Sequence, residues 1–185
     1  MKGTFIQGRL RMKRIAVIGA GAWGTALALH AARAGADVHL WARNPTAQLA
    51  SGAMPRLSAF PLPATIKVTD EFAVQADMTL VAVPMKHLAS VLAQLETTSP
   101  LVLCCKGVKP DSLHFPLDIL AAIRPGHAGA VLSGPNFAHE VAAGLPAAAV
   151  IAARQDGLAR SLADMLGTPA FRLYDSTDTI GVQLG

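Results

Sequence analysis

The chain has 185 residues, of which 52% are hydrophobic and 15% charged, and its formal net charge is +4. This composition excludes intrinsic disorder and supplies enough apolar surface for one domain of ordinary size. No stretch approaches the roughly 18 uncharged apolar residues that span a bilayer, and the N-terminus has no hydrophobic signal core, so a cytoplasmic protein without an integral membrane segment is expected.

Residues 1–13 are predicted to be a disordered extension ahead of a domain formed by residues 14–185. A basic cluster at the end of the extension, formed by Arg9, Arg11, Lys13 and Arg14, would permit contact with nucleic acid. A solvated tail is favoured instead, because no basic stripe with interleaved aromatic residues follows. The mild positive charge suits a small anionic ligand such as a phosphate equally well, so no nucleic-acid partner is predicted.

The first predicted elements form a strand–helix–strand unit. Residues 14–18 form a short, mostly apolar run followed by Gly19, which predicts a buried strand. An Ala- and Leu-rich helix is predicted over 22–34, closed by Gly35, and a second strand follows over 38–42. The spacing of about 30 residues is typical of a βαβ unit.

Strands and helices continue to alternate along the rest of the chain. Residues 44–63 contain proline and serine without a firm period, which predicts a helical turn and a loop. Further strands are predicted over 66–68, 78–83, 101–104, 130–132, 147–152 and 170–174, and further helices over 69–76, 86–95, 115–123, 136–143 and 157–166. Thr69 or Asp70 is the expected N-cap of the helix over 69–76, and Asn136 that of the helix over 136–143. This alternation predicts an α/β fold, a doubly wound and mostly parallel sheet in three layers.

Cysteine and histidine usage argues against disulfides and metal sites. Cys104 and Cys105 are the only cysteines, and adjacent residues of a strand point to opposite faces, which disfavours a disulfide between them. The six histidines are scattered without a ligand spacing, so no metal site is predicted.

The motif Gly19-x-Gly21-x-x-Gly24 follows the first strand directly and opens the first helix. In this context it predicts a Rossmann-type dinucleotide site, with Gly19 for the tight turn, Gly21 for close approach of the pyrophosphate and Gly24 for helix–strand packing. Backbone N–H groups near Ala22 and Trp23 would face the anion. A glycine-rich turn without a ligand is the alternative.

Cofactor preference depends on the end of the second strand. A site selective for NAD usually carries Asp or Glu about 20 residues beyond the motif, where it binds the ribose 2′-hydroxyl. This chain has Trp41-Ala42-Arg43-Asn44 there, without an acid. Arg43 is placed to meet a 2′-phosphate, which favours NADP and leaves NAD possible. A solvated loop arginine is the competing interpretation.

Two further clusters follow predicted strands. Lys106 ends one strand, where a lysine offers a point charge to a phosphate or a carbonyl. The segment Ser133–Val141 leaves another strand and opens a helix, and a serine, a glycine and a helix N-terminus together favour an anion. In an open α/β sheet such strand ends lie at the ligand-binding edge.

With these residues in view, the chain resembles NAD(P)-dependent glycerol-3-phosphate dehydrogenases of the bacterial type. The matching segments are 19–28, 38–43, 81–84, 106–108, 133–148 and 171–185. The strings S-G-P-x-F-A-x-E and D-x-I-G-V-x-L-G are the specific ones. The first string counts against a 6-phosphogluconate- or ketopantoate-type enzyme on the same scaffold. The end of the sequence inside a family motif counts against the third alternative, a stand-alone nucleotide-binding module that acts as a redox sensor without catalysis.

The resemblance implies a cofactor half whose helical C-terminal substrate domain is absent. It implies reduction of dihydroxyacetone phosphate to sn-glycerol 3-phosphate by hydride transfer, in a homodimeric parent enzyme. The residues implied in cofactor contact are Gly19, Gly21, Ala22, Trp23, Gly24, Arg43, Pro84, Lys106 and Ala138. Those implied in substrate contact are Lys106, Ser133, Gly134 and Asn136. The family's main catalytic lysine lies beyond Gly185, so the 185-residue chain is expected to bind the cofactor without turning over substrate.

Several assignments stay open at this stage. Lys106 is the expected catalytic lysine within the chain, adding electrostatic stabilisation, and its alternative is a lysine in solvent. Asp178 either orients the family's lysine or caps a helix beginning near Thr179. Ser133 binds substrate or only its own turn. Residues 51–63 lack the family's usual Asn and Tyr/Phe-Leu-Pro signature, Cys105 replaces a threonine, and Asn136 replaces Ser or Thr.

Overall fold

A computed structural model of the chain describes residues 12–45, 52–73, 75–108 and 113–185. Within these ranges eight strands form one sheet in the order β3-β2-β1-β4-β5-β6-β7-β8. The strands are β1 (Arg14–Ile18), β2 (Asp37–Trp41), β3 (Ile66–Thr69), β4 (Met78–Val81), β5 (Leu101–Leu103), β6 (Gly129–Ser133), β7 (Ala147–Ala153) and β8 (Phe171–Ser176). The helices are α1 (Ala22–Arg33), α2 (Met85–Gln94), α3 (Pro116–Ile123), α4 (Ala138–Ala143), α5 (Leu158–Leu166) and α6 (Thr179–Leu184), with a 3-10 helix at Pro55–Leu57.

The sheet is parallel except between β6 and β7, which run antiparallel. Both faces are covered, because successive strand residues enter two separate apolar cores: Val102 lies in one, while Leu101 and Leu103 lie in the other. A sheet buried on both faces needs continuous apolar strands, as β1 and β4 have. The prediction of a doubly wound, mostly parallel sheet in three layers is confirmed.

The predicted elements agree with the structure to within one or two residues at most ends. One predicted helix is wrong: none of the described residues between 69 and 76 is helical. Thr69 instead extends β3, pairing in register with Trp41. Its hydroxyl accepts from the Glu71 N–H, and Phe72 stacks on Trp41 with ring centroids 4.4 Å apart. Tertiary contact with Trp41 therefore replaces the local helical preference.

The predicted capping role of Asn136 is also wrong. Helix α4 begins at Ala138 with Phe137 as its N-cap. The Asn136 side chain donates instead to the Ala148 carbonyl, 2.9 Å away. This bond ties the turn after β6 to the start of β7. A cross-strand acceptor has outcompeted the helix's own N–H groups.

The strand order brings the predicted functional segments to one edge of the sheet. Strands β2, β1, β4, β5 and β6 are parallel neighbours, so their carboxyl ends lie together. The order reverses between β1 and β4, and ligands bind at such a switch point. Among the described residues, no helix is both long and apolar enough to traverse a bilayer.

Candidate active site

A cleft of about 400 Å³ lies at the switch point of the sheet. Its walls come from three strand ends: Gly19 to Gly21 after β1, Trp41 to Asn44 after β2, and Ala82 to Pro84 after β4. These segments are far apart in sequence, and the parallel pairing of β1 with both β2 and β4 brings them together. The cleft therefore contains the predicted cofactor residues Gly19, Gly21, Arg43 and Pro84.

The three motif glycines have different physical reasons to be glycine. Gly19 adopts φ +111°, and a Cβ there would lie 2.6 Å from the Ala82 carbonyl oxygen. A Cβ on Gly24 would lie 1.8 Å from the Gly19 oxygen, so close helix–strand packing requires glycine there. A Cβ on Gly21 would meet no protein atom within 4 Å. Gly21 thus faces open space in the cleft, which is the room a closely approaching ligand needs.

Helix α1 begins at this cleft with its N-terminal N–H groups available. Gly21 is its N-cap, and no side chain caps it. The first N–H groups of a helix lack intrahelical partners and carry the positive end of its dipole. Ala22 and Trp23, both half-buried, provide part of this N-terminus. These features fit a pyrophosphate.

The charges lining the cleft are positive. The charged side chains in the lining are those of Arg43 and Arg56, with the imidazole of His87 beside them, and none of the described lining residues is Asp or Glu. Of these residues, Arg43 was predicted from the sequence, whereas Arg56 and His87 were not. Arg56 lies in a segment without periodicity, and nothing local to it distinguishes it from any other loop arginine. The cleft has the electrostatics of an anion site.

Trp41 forms part of the cleft wall, and residues that follow β3 hold its side chain in place. Its indole Nε1 donates to the Asp70 carbonyl at 2.9 Å, and its ring stacks on Phe72. The segment that the sequence predicted as a helix thus holds the wall of the cleft in place.

A second cavity, of about 370 Å³, lies at the ends of β5 and β6. Lys106, Ser133 and Gly134 line it together with Gly181 and Val182 of α6. The Lys106 Nζ donates to the Gly134 carbonyl at 3.2 Å, which links the two strand ends. Ser133 donates to the Gly185 carbonyl at 2.9 Å. Three of the four predicted substrate residues are therefore in one cavity.

The remaining predicted residues have scaffold contacts. Asn136 is bonded to Ala148, and a Cβ on Gly134 would lie 2.7 Å from its Nδ2 atom. Ala138 begins α4 and packs against the larger core. Asp178 caps α6, its carboxylate accepting from the Gly181 N–H at 2.8 Å. Of the two alternatives for Asp178, the structure supports capping, and it gives no contact that supports a catalytic role.

The cysteine beside Lys106 is not poised as a nucleophile. Burial raises the pKa of the Cys105 thiol to about 11, and burial raises the pKa of Cys104 further. Both cysteines are free, as expected from their adjacency. A thiol that stays protonated at neutral pH contributes packing rather than reactivity.

Comparison with known families gives a match over residues 14–159 to the N-terminal region of NAD-dependent glycerol-3-phosphate dehydrogenase. A glycerol-3-phosphate dehydrogenase [NAD(P)+] of Gluconobacter oxydans is 48% identical over 174 residues, covering 92% of this chain and 53% of its own length. One from Bradyrhizobium sp. is 46% identical over 180 residues, covering 92% and 55%. The chain spans about half the length of these curated relatives.

Solved structures agree with the sequence matches. The glycerol-3-phosphate dehydrogenase of Coxiella burnetii superposes with a TM-score of 0.82 at 32% identity, covering 93% of this chain and 56% of that one. A ketopantoate reductase from Ralstonia eutropha superposes with a TM-score of 0.66 at 20% identity, covering 92% and 58%, which shows a shared fold alone.

Proposed function

The chain belongs to the family of NAD-dependent glycerol-3-phosphate dehydrogenases, whose N-terminal region it matches, and on this premise we propose that it binds NADP(H) at the switch-point cleft. The parent activity that we propose is reduction of dihydroxyacetone phosphate to sn-glycerol 3-phosphate. The observation that carries the proposal is the cleft itself, where Gly21 faces open space beside an uncapped helix N-terminus.

The pyrophosphate of the cofactor is assigned to the turn between β1 and α1. The glycine at position 21 leaves the space, and the N–H groups of α1 supply donors. The residues present therefore fit a dinucleotide. Bound there, the nicotinamide would supply the hydride that reduces a carbonyl carbon.

Arg43 supports a preference for NADP over NAD. It follows β2, where the adenosine ribose lies in this fold, and the described residues that line the cleft include no carboxylate to accept a 2′-hydroxyl bond. A guanidinium beside the ribose favours a phosphate on it.

Lys106 is the cation that we assign to the substrate. Its ammonium group lies just after β5, anchored through the Gly134 carbonyl, which is its one hydrogen-bond partner among the described residues, so further N–H donors remain for a ligand. When hydride reaches the carbonyl carbon, negative charge develops on the substrate oxygen, and a fixed ammonium stabilises that charge. Ser133 and Gly134 line the same cavity and are assigned to substrate contact, with Asn136 holding their turn.

Fluorescence titration of the purified chain with NADPH and NADH tests this function. We expect saturable binding of both, tighter for NADPH. Absence of binding contradicts the proposed function, and equal affinities contradict the Arg43 assignment. The expectation that these 185 residues bind cofactor without turnover stays a prediction, and measurable NADPH oxidation with dihydroxyacetone phosphate would contradict it.

A further inference from the structure

Arg56 shares the cleft with Arg43 although it comes from a separate segment of the chain. Both side chains are exposed and both line the cavity beside Gly19 and Gly21. Arg43 follows β2, whereas Arg56 is the middle residue of the 3-10 helix at Pro55–Leu57. Two cations from different segments therefore converge on one ligand-sized space.

The segment that carries Arg56 is fixed on both sides of it. Met54 and Leu57 are 0% and 7% exposed, and both belong to the larger apolar core. A bridge between Ala53 and Pro61 closes the segment, and the Leu62 N–H donates to the Gly52 carbonyl at 3.1 Å. Arg56 thus projects from a short helix anchored by buried residues before and after it, so ligand binding has to order only the side chain and not the segment that carries it.

Arg43 and Arg56 also differ from most other described arginines in having no protein partner. Arg14, Arg154 and Arg160 pair with carboxylates. By contrast, Arg33 and Arg124 donate to backbone carbonyls. Within the described residues, no hydrogen bond or ion pair occupies the guanidinium of Arg43 or Arg56. The N–H groups of both guanidinium groups are therefore free to bind a ligand.

We propose that Arg56 is a second specificity-determining residue, which together with Arg43 binds the 2′-phosphate of NADP(H). This rests on the proposed function, because it assumes that a dinucleotide occupies the cleft. The pyrophosphate is assigned to the donors at the N-terminus of α1, so the remaining positive charge of the cleft, which Arg56 shares with Arg43 after β2, fits the other phosphate, the one on the adenosine ribose. Two planar guanidinium forks match the several oxygens of a phosphate monoester.

The test compares four probes on Arg56→Gln: NADPH, NADH, adenosine 2′,5′-bisphosphate and 5′-AMP. The variant should weaken NADPH and the bisphosphate roughly tenfold, the usual effect of losing a charge-assisted hydrogen bond, and should change NADH and 5′-AMP less than about twofold. Arg56→Lys keeps the charge and loses the fork, so it should fall between wild type and Arg56→Gln.

Arg160→Gln is the matched control, because it removes the same charge from α5, which packs on β8 at the far edge of the sheet from β2. It should leave all four affinities unchanged. Equal weakening of NADPH and NADH by Arg56→Gln overturns the proposal, since Arg56 then contacts a part common to both. Unchanged affinities overturn it as well. A wild-type chain that binds none of the probes contradicts the proposed function itself, whereas wild-type binding that Arg56→Gln leaves intact contradicts only the Arg56 assignment.

Discussion

At the scale of single residues, Gly24 is required for the fold, whereas Gly21 is assigned to ligand binding. A methyl group on Gly24 would collide with the Gly19 carbonyl, whereas one on Gly21 would enter open space. We expect Gly24→Ala to lower the free energy of unfolding by about 3 kcal/mol, as overpacking of a backbone contact does. Gly21→Ala should change it by no more than about 1 kcal/mol, the usual cost of alanine at an N-cap.

For NADPH affinity we expect the opposite order, with the larger loss in Gly21→Ala and the smaller loss in Gly24→Ala. Gly21→Ala should weaken NADPH binding strongly while the fold persists, because the added methyl group occupies the space assigned to the pyrophosphate. Urea unfolding and NADPH titration of both variants measure this. Gly35→Ala serves as a glycine control away from the cleft: the left-handed backbone at φ +85° should make it cost stability, while NADPH affinity should stay unchanged. Unaltered NADPH affinity in folded Gly21→Ala would contradict the assignment of the pyrophosphate.

His30 makes stability depend on pH. It is 3% exposed, its Nε2 donates to the Leu166 carbonyl at 2.7 Å, and its ring meets Phe171 edge-on. Burial lowers the pKa of His30 below its ordinary 6.5, and nearby Arg33 lowers it further. As pH falls, the unfolded chain therefore binds a proton before the folded protein does. This contribution to stability is complete above the unfolded pKa and is lost progressively as pH falls towards the folded pKa.

Urea unfolding at pH 7.5 and at pH 5.5 checks this dependence. The free energy of unfolding should be lower at pH 5.5 than at pH 7.5. In His30→Gln, which keeps a donor for the Leu166 carbonyl, this decrease should be smaller. Burial also lowers the pKa of His39, so His39→Asn identifies its share of the slope. An identical slope in wild type and His30→Gln would exclude His30 as the source.

At the scale of elements, α6 depends on its cap. Asp178 accepts from the Gly181 N–H, and the helix it begins reaches the substrate cavity through Gly181 and Val182. Asp178→Ala should lower the free energy of unfolding by about 1 kcal/mol, as loss of an N-cap does. Asp178→Asn should retain nearly all of it, because the amide oxygen still accepts. Thermal unfolding of both variants measures this, and equal loss in Asn and Ala would show that the charge, rather than the cap, is required.

At the scale of the whole molecule, binding at the switch point should stabilise the entire sheet. The cleft joins segments after β1, β2 and β4, so a ligand there bridges strands at the centre of the fold. NADPH at about 100 times its dissociation constant should add about 2.7 kcal/mol. For a domain of this size that corresponds to a rise in Tm of about 5 to 10 °C. Differential scanning fluorimetry measures it, and an unchanged Tm under saturating NADPH would contradict binding to the folded state.

The sequence by itself determined the fold class and the βαβ unit, and it predicted most residues of the candidate site. Apolar runs, helix periodicity and glycine spacing are local signals, and each of them reports directly on the backbone that it requires. Gly19, Gly24, Arg43 and Lys106 could therefore be located along the chain before any contact between them was known. The specific strings around Ser133 and Gly185 pointed to the family.

Only the tertiary structure decided which of these residues meet and what the ambiguous polar residues do. Phe72 does not lie in a helix because Trp41 offers it a stacking partner from another strand. Asn136 does not cap because the Ala148 carbonyl lies within reach. Arg56 joins the cleft because buried Met54 and Leu57 fix the 3-10 helix that packs against α1. Each of these outcomes depends on a contact between distant parts of the chain, and a local pattern carries no information about such a contact.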